Sequence, residues 1–423
     1  MDDLSRAVDD LVATATRDVA PPQLKRIVEK VLDAFDRASE RPRNTALRTM
    51  GRALGKVEGR GAQILCLALG ALVESGANPE LAWPAVENGL RGLLNRATAF
   101  ATAVVKHAKD EHVDTAIGKS GAAVAKKMPR NADAWNALPA RCLAAVACLT
   151  RSKKVRSVAR KNAGLQEAAW PLSDVVAEVG YLLQSLRIVD DEHLLVLAPS
   201  NGLGWRVSID AMPSNAELSI LLADALVGDP KRGRFAGKRP DPKAVRAIRE
   251  GTAPKRAASV TVPFHLVAWT ALSSDGSLPP AQAAETDHFI WSEGLVADIP
   301  AAGKQRVVLL QPPPRARPIP VAPSFESLRP ELRVDEELSF DEVERVLKKL
   351  GKVAAKSHSH AMASAADSAT TKKTTRKTAR SKKPSSRSKA TGSKKTATSK
   401  KTTTSKKTAT SKKAATSKKT ARR

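Results

Sequence analysis

The sequence predicts an α+β protein: a mainly helical N-terminal domain, a small α+β domain and a disordered basic C-terminal tail. Three observations predict it. Apolar residues recur at helical spacing up to about residue 185, and short runs of period two begin just beyond. The last 53 residues, 371–423, contain no aromatic or large aliphatic side chain. Such a stretch cannot bury enough apolar surface to offset the entropy of ordering it. The boundaries read as 1–185 for the helical domain, 186–318 for the α+β domain, 319–351 for a linker and final helix, and 352–423 for the tail.

In the helical part the clearest stripe is Leu24, Ile27, Val28, Val31, Leu32 and Phe35, which fall on one helix face. Pro21 and Pro22 suit its first turn. Further helices are expected over 3–17, 61–75, 79–106, 133–150 and 165–185. Within 61–75, Gly61, Ala62, Ala68, Gly70 and Ala71 lie among Leu and Ile, a pattern for close packing against a neighbour. An Ala-Trp pair recurs at 82–83, 134–135 and 169–170, but at unequal spacing, so three Trp anchors in one core are favoured over a helical repeat.

From residue 186 the pattern changes. His193–Ala198 and Trp205–Asp210, joined by a loop containing Asn201-Gly202, read as a β-hairpin. Ser214 and Glu217 form a capping box ahead of a helix over 216–227, and Asp241-Pro242 opens another that stops at Gly251. Strands are expected near 259–270, 288–291 and 306–311, and the proline run 312–318 is expected to end the domain. A last helix is capped by Ser339 and Glu342, shows an apolar face of Val343, Val346, Leu347 and Leu350, and is expected to stop at Gly351.

The chain carries 71 Lys and Arg against 43 Asp and Glu, a net charge of +28. The tail holds 21 of those cations and no acid, so the first 370 residues carry only about +7. Three cysteines without disulfide spacing and an acidic N-terminus suggest a reducing, cytoplasmic location, and the most apolar run, 64–73, is too short to span a bilayer. The Ala- and Arg-rich, aromatic-poor composition suggests a bacterial source.

Catalytic and metal patterns fail one by one. Gly118-Lys119-Ser120 and Gly237-Lys238-Arg239 each lack the rest of a phosphate loop, and Gly202-Leu-Gly204 suits a hairpin turn. His107 and His112, read as lying on one helix, point to different faces; so do Cys142 and Cys148. The most enzyme-like group is Asp287, His288, Glu293 and Asp298 around Trp291, with His265 on a neighbouring strand. Turn-capping and burial explain these residues better. No enzyme activity, catalytic residue, metal or cofactor is expected.

The tail makes the strongest functional statement. Ser-Lys-Lys recurs at Ser393, Ser399, Ser405, Ser411 and Ser417, a period of six. The DNA-contacting candidates are Lys382, Lys383, Lys394, Lys395, Lys400, Lys401, Lys406, Lys407, Lys412, Lys413, Lys418, Lys419, Arg422 and Arg423. Lysine predominates over arginine and nothing in the hexads can read or stack on bases, so binding to duplex DNA is expected to ignore sequence. Other polyanions compete as partners, and no residue here inserts into lipid, which argues against a membrane. The Lys/Ala/Ser/Thr repeats resemble the C-terminal tails of histone-H1-like proteins, including bacterial nucleoid-associated ones. That resemblance covers about one eighth of the chain and implies nonspecific DNA binding and a nucleoid location. For the rest of the chain the competing roles are a protein-binding adaptor or regulator and, third, an enzyme with its site near His265 and His288. The seven acids between Glu331 and Glu344 suggest a patch that competes weakly with DNA for the tail.

Overall fold

The computed structural model describes residues 2–17, 21–110, 112–278, 288–313 and 317–356, which belong to one unit. Its architecture is α+β, as the periodicities predict. The helices of the first half are α1 (Asp3–Ala15), α2 (Pro21–Arg37), α3 (Glu40–Leu54), α4 (Gly59–Glu74), α5 (Pro79–Glu87), α6 (Leu90–Ala108), α7 (Val113–Lys127), α8 (Pro129–Arg151), α9 (Lys153–Arg160), α10 (Ala163–Ala169) and α11 (Ala177–Leu186). The helix α8 lies at the centre and packs against α4, α5, α6, α7, α9 and α11. A solenoid repeat touches only its neighbours, so this hub rules out the repeat suggested by the Ala-Trp pairs. Those tryptophans also differ: Trp83 is buried, Trp135 half-buried and Trp170 exposed, so Trp170 anchors no core.

The small residues of α4 act as expected. A Cβ on Gly70 would stand 3.2 Å from Ala144 Cα, so glycine is what lets α4 and α8 approach. The stretch 79–106 is two helices, because Gly89 adopts a left-handed conformation (φ 77°) and turns the chain between α5 and α6. Three helices escaped the apolar-stripe reading: α3, α7 and α9. The helix α7 gives little apolar contrast, since it buries Ala116, Ser120, Gly121 and Val124, whereas α3 buries a regular stripe of Ala46, Leu47, Met50 and Leu54, and α9 is only eight residues long.

The second half contains β1 (Glu192–Ala198), β2 (Leu203–Asp210), α12 (Asn215–Leu226), β3 (Val227–Gly228), β4 (Phe235–Ala236), α13 (Pro242–Arg249), β5 (Ser259–Thr261), β6 (His265–Ala268), β7 (Phe289–Ile290), β8 (Ala301–Ala302), β9 (Gln305–Gln311), β10 (Pro318–Pro320), β11 (Glu331–Glu337) and a last helix, α14, through residues 340–356. The main sheet runs β11-β2-β1-β9-β6-β7, with β8 also on β9. Only the β1–β9 pair is parallel; the others are antiparallel. The expected hairpin is β1 and β2, with Gly202 left-handed at the turn.

Both faces of the sheet are covered. Leu194, Val196, Trp205, Val207, Val308 and Leu310 pack in one core with α12 and α13. Leu195, Leu197, Val267, Val307 and Leu309 pack against Val343, Leu347, Leu350 and Ala354 of α14. Each fully buried Leu or Val contributes roughly 1.5–3 kcal/mol, so α14 is an integral layer. Two expectations are corrected here. Gly351 does not stop α14; it permits contact, since a Cβ there would collide with the Ser273 carbonyl oxygen. The stretch 319–351 is not a linker and helix alone. After the proline run, β10 pairs with β5 and β11 forms an edge strand on β2.

The two halves are clasped at the entry to β1. Arg156 on α9 donates to Asp190 at 2.6 Å, both side chains being about 5% exposed, and Arg160 also pairs with Asp190. Lys153 bridges Asp191 and Asp210. Beside them Ile188, Ala211, Phe325 and Leu328 form a small apolar cluster.

Candidate functional site

The tail cations, Lys382 through Arg423, lie outside the described residues. The other candidate residues are all described except Asp287. The group around Trp291 does not converge on one point. His288 Nδ1 faces Thr270 Oγ1 at 3.4 Å, Glu293 pairs with Arg317, and Asp298 pairs with Arg187 in the helical half. Arg317 stacks 5.0 Å from the centre of the half-exposed Trp291 ring. His265 packs edge-on against Phe289 at 4.3 Å, and burial lowers its pKa to about 4, which keeps the imidazole neutral. These side chains brace the β6–β7 edge.

The remaining motifs resolve as local structure. Ser120 sits within α7 and meets His107 Nδ1 at 3.1 Å. His107 ends α6 while His112 precedes α7, so the two histidines belong to different helices, a correction to the single-helix reading. Arg239, which spoiled a phosphate-loop match, donates to the carbonyls of Asp224 and Val227 and caps the end of α12. Cys66, Cys142 and Cys148 are buried thiols, and burial raises all three pKa values, Cys148 to about 12, so none is a ready nucleophile. The Ser214–Glu217 capping box forms, and Glu217 also accepts from Ser324 N at 3.0 Å and Ser324 Oγ at 2.9 Å. Burial raises the pKa of this carboxyl. No group of three metal-ligating side chains occurs among the described residues.

Sequence patterns gave no sign of an open cleft of about 1040 Å³ at the end of β1, β2 and β11. His193 and Ser208 are cross-strand partners, with Nδ1 and Oγ 3.2 Å apart. Asp335 arrives from the bulge in β11, accepts from Ser208 Oγ and lies 3.6 Å from the same His193 nitrogen. The Ser208 and Arg333 hydrogen bonds hold the Asp335 carboxyl below its ordinary value. This is not a nucleophile–base–acid chain: the serine proton goes to the carboxylate, and the imidazole is not between them. No sequence signal announces this trio, because it depends on the register of three strands.

Charge is distributed unevenly over the body. Residues 231–256, spanning β4 and α13, hold ten Lys or Arg and two acids. Residues 331–344 hold seven acids and one Arg. Comparison with known proteins finds no match: no family model fits the chain, and no curated protein or solved structure is significantly similar to it. No helix among the described residues is long and apolar enough to cross a membrane.

Proposed function

We propose that the protein binds duplex DNA without sequence specificity, through a cationic C-terminal tail that tethers the folded body to the nucleoid. The observation that carries this is the run of 21 Lys or Arg without one acid over residues 371–423. Each cation that neutralises a phosphate releases a condensed counterion, which makes the free energy of binding largely electrostatic. The Ser-Lys-Lys hexads carry point charges and short polar side chains, which suit phosphate contact and give no base readout. A random coil of 53 residues spans roughly 40 Å and an extended chain of that length reaches roughly 180 Å, enough to bridge neighbouring DNA segments. No residue of the body is assigned a catalytic role.

Fluorescence anisotropy of a labelled duplex against the full chain and a chain ending at residue 370 tests this. The expected result is tight binding by the full chain and a loss of several decades on truncation. Equal affinity of the two chains would refute the tail as the tether.

A further inference from the structure

The net charge of one short segment is as large as that of the whole body. Residues 1–370 carry 50 basic and 43 acidic side chains, and residues 231–256 alone carry ten and two. The other 344 residues therefore hold 40 basic and 41 acidic side chains, which balance. The segment begins with the turn after β3, passes through β4 and a loop to α13, and ends in the stretch before β5. Both α13 and β3 pack on α12. The helix α13 buries Ala244, Val245 and Ile248, so Lys243 and Arg246, one turn apart, face solvent.

What matters is which cations are already engaged. Arg234 pairs with Glu337, Arg249 faces Asp224 at 3.5 Å, and Arg239 caps α12. Lys231, Arg232, Lys238, Lys243, Arg246, Lys255 and Arg256 are all exposed and have no ion pair among the described residues. No nearby acid pairs with them: Asp229 and Asp241 accept from the backbone, Lys231 N at 3.0 Å and Lys243 N at 2.8 Å, and Glu250 has no ion pair among the described residues. Phe235, the segment's one aromatic, is buried against Phe264, so no ring is offered to an unpaired base.

We propose that this surface is a second phosphate-contacting site, which seats the body on the backbone of duplex DNA while the tail holds the molecule nearby. It rests on the reading that the partner is DNA, and it adds a contact on the folded body to that of the tail. Seven unengaged cations with no stacking ring suit a double-stranded phosphate backbone better than a single strand.

The test uses the full chain carrying K231Q/R232Q/K243Q/R246Q, and separately K255Q/R256Q, with a 30-base-pair duplex as probe. Each is made also in a neutral-tail chain, in which all 21 Lys and Arg of residues 371–423 are glutamine. All six body side chains are exposed, so circular dichroism should be unchanged. In the intact tail, the slope of log K against log salt should become shallower by about 0.9 for each phosphate no longer neutralised, about 3.6 for the quadruple variant. In the neutral-tail chain, the residual salt-dependent binding should fall about tenfold or more on the quadruple substitution. Unchanged slope and affinity in both backgrounds would overturn the proposal. So would loss of binding to inorganic polyphosphate with duplex affinity retained, since the surface would then serve a free polyanion. If the neutral-tail chain binds as tightly as the wild type and only the body variants weaken it, the tail tether fails while this surface stands. Should the quadruple variant lose its fold, the K255Q/R256Q pair decides by the same readings.

Discussion

Residues 231–256 and 331–344 are charge-dense stretches of opposite sign in the folded body, and the fold treats them in opposite ways. In the acidic stretch, Glu336 pairs with Arg206, Glu337 with Arg234 and Glu344 with Lys348, while Asp335 is held by Arg333 and Ser208. Glu342 closes the capping box with Ser339. Five of the seven acids thus have partners. In the basic stretch eight of ten cations have no ion pair among the described residues, and seven have no side-chain hydrogen bond either. The cause is placement: β11 lies as an edge strand on β2, so its side chains meet cross-strand neighbours, whereas α13 and its flanking loops pack on α12 with their charges outward. Formal charge describes a segment; partnership decides what remains for another molecule. Four of the seven acids are ion-paired in place, so the charge this stretch keeps for competing for the tail lies on Glu331, Asp341 and Glu342.

The tail gives the largest effect. Replacing the twelve candidate tail lysines from Lys382 to Lys419 by glutamine should cost several decades of duplex affinity at about 0.1 M salt, with the melting temperature unchanged. A loss of under tenfold would mean that the body carries the binding. The next effect has the opposite sign. The E336Q/E337Q variant releases Arg206 and Arg234 from their acids, and titration with duplex should show affinity rising by up to about tenfold, as expected for two more phosphate contacts. An unchanged value would show that these arginines cannot reach DNA. Ser339→Ala removes the cap of α14 and should cost about 1 kcal/mol in a denaturant titration, with DNA affinity unaffected.

The smallest effect is in the pH dependence. Asp335 is held below its ordinary carboxylate value by Ser208 and Arg333, and Glu342 by the Ser339 amide and hydroxyl. A depressed carboxyl contributes stability that is present above its unfolded pKa and lost as pH falls through the folded value. Thermal melts from pH 6 down to pH 3 should therefore show a decline that Asp335→Asn flattens. Glu331→Gln, at an acid with no partner among the described residues, should leave that decline unchanged. Glu217 acts oppositely: its raised pKa means a contribution complete below the unfolded value and lost as pH rises through the folded one.

Much of the fold was readable where one residue's role depends on near neighbours. The β1–β2 hairpin, both Ser/Glu capping boxes and the stripe of α2 from Ile27 to Phe35 are local patterns, and all form. The misses are non-local. Gly351 looks like a helix stop until Ser273 is seen against it, and β11 looks like an acidic linker until β2 is seen beside it. The trio of His193, Ser208 and Asp335 joins three strands at separations of 15 and 127 residues in sequence, beyond any spacing rule. The basic belt was visible in the sequence, but summing charge over the whole body hid it. Its freedom to bind became visible only with the hydrogen bonds of Asp229 and Asp241.

The measurement that tests the central claim most directly is the salt dependence of binding of the intact chain to two duplexes of unrelated sequence, from 50 to 300 mM salt. Engagement of about ten tail cations predicts a slope near −9 in log K against log salt, a loss of roughly five decades between 50 and 200 mM, and the same line for both duplexes. A shallow slope, or two lines that differ by more than tenfold, would contradict a sequence-blind electrostatic tether.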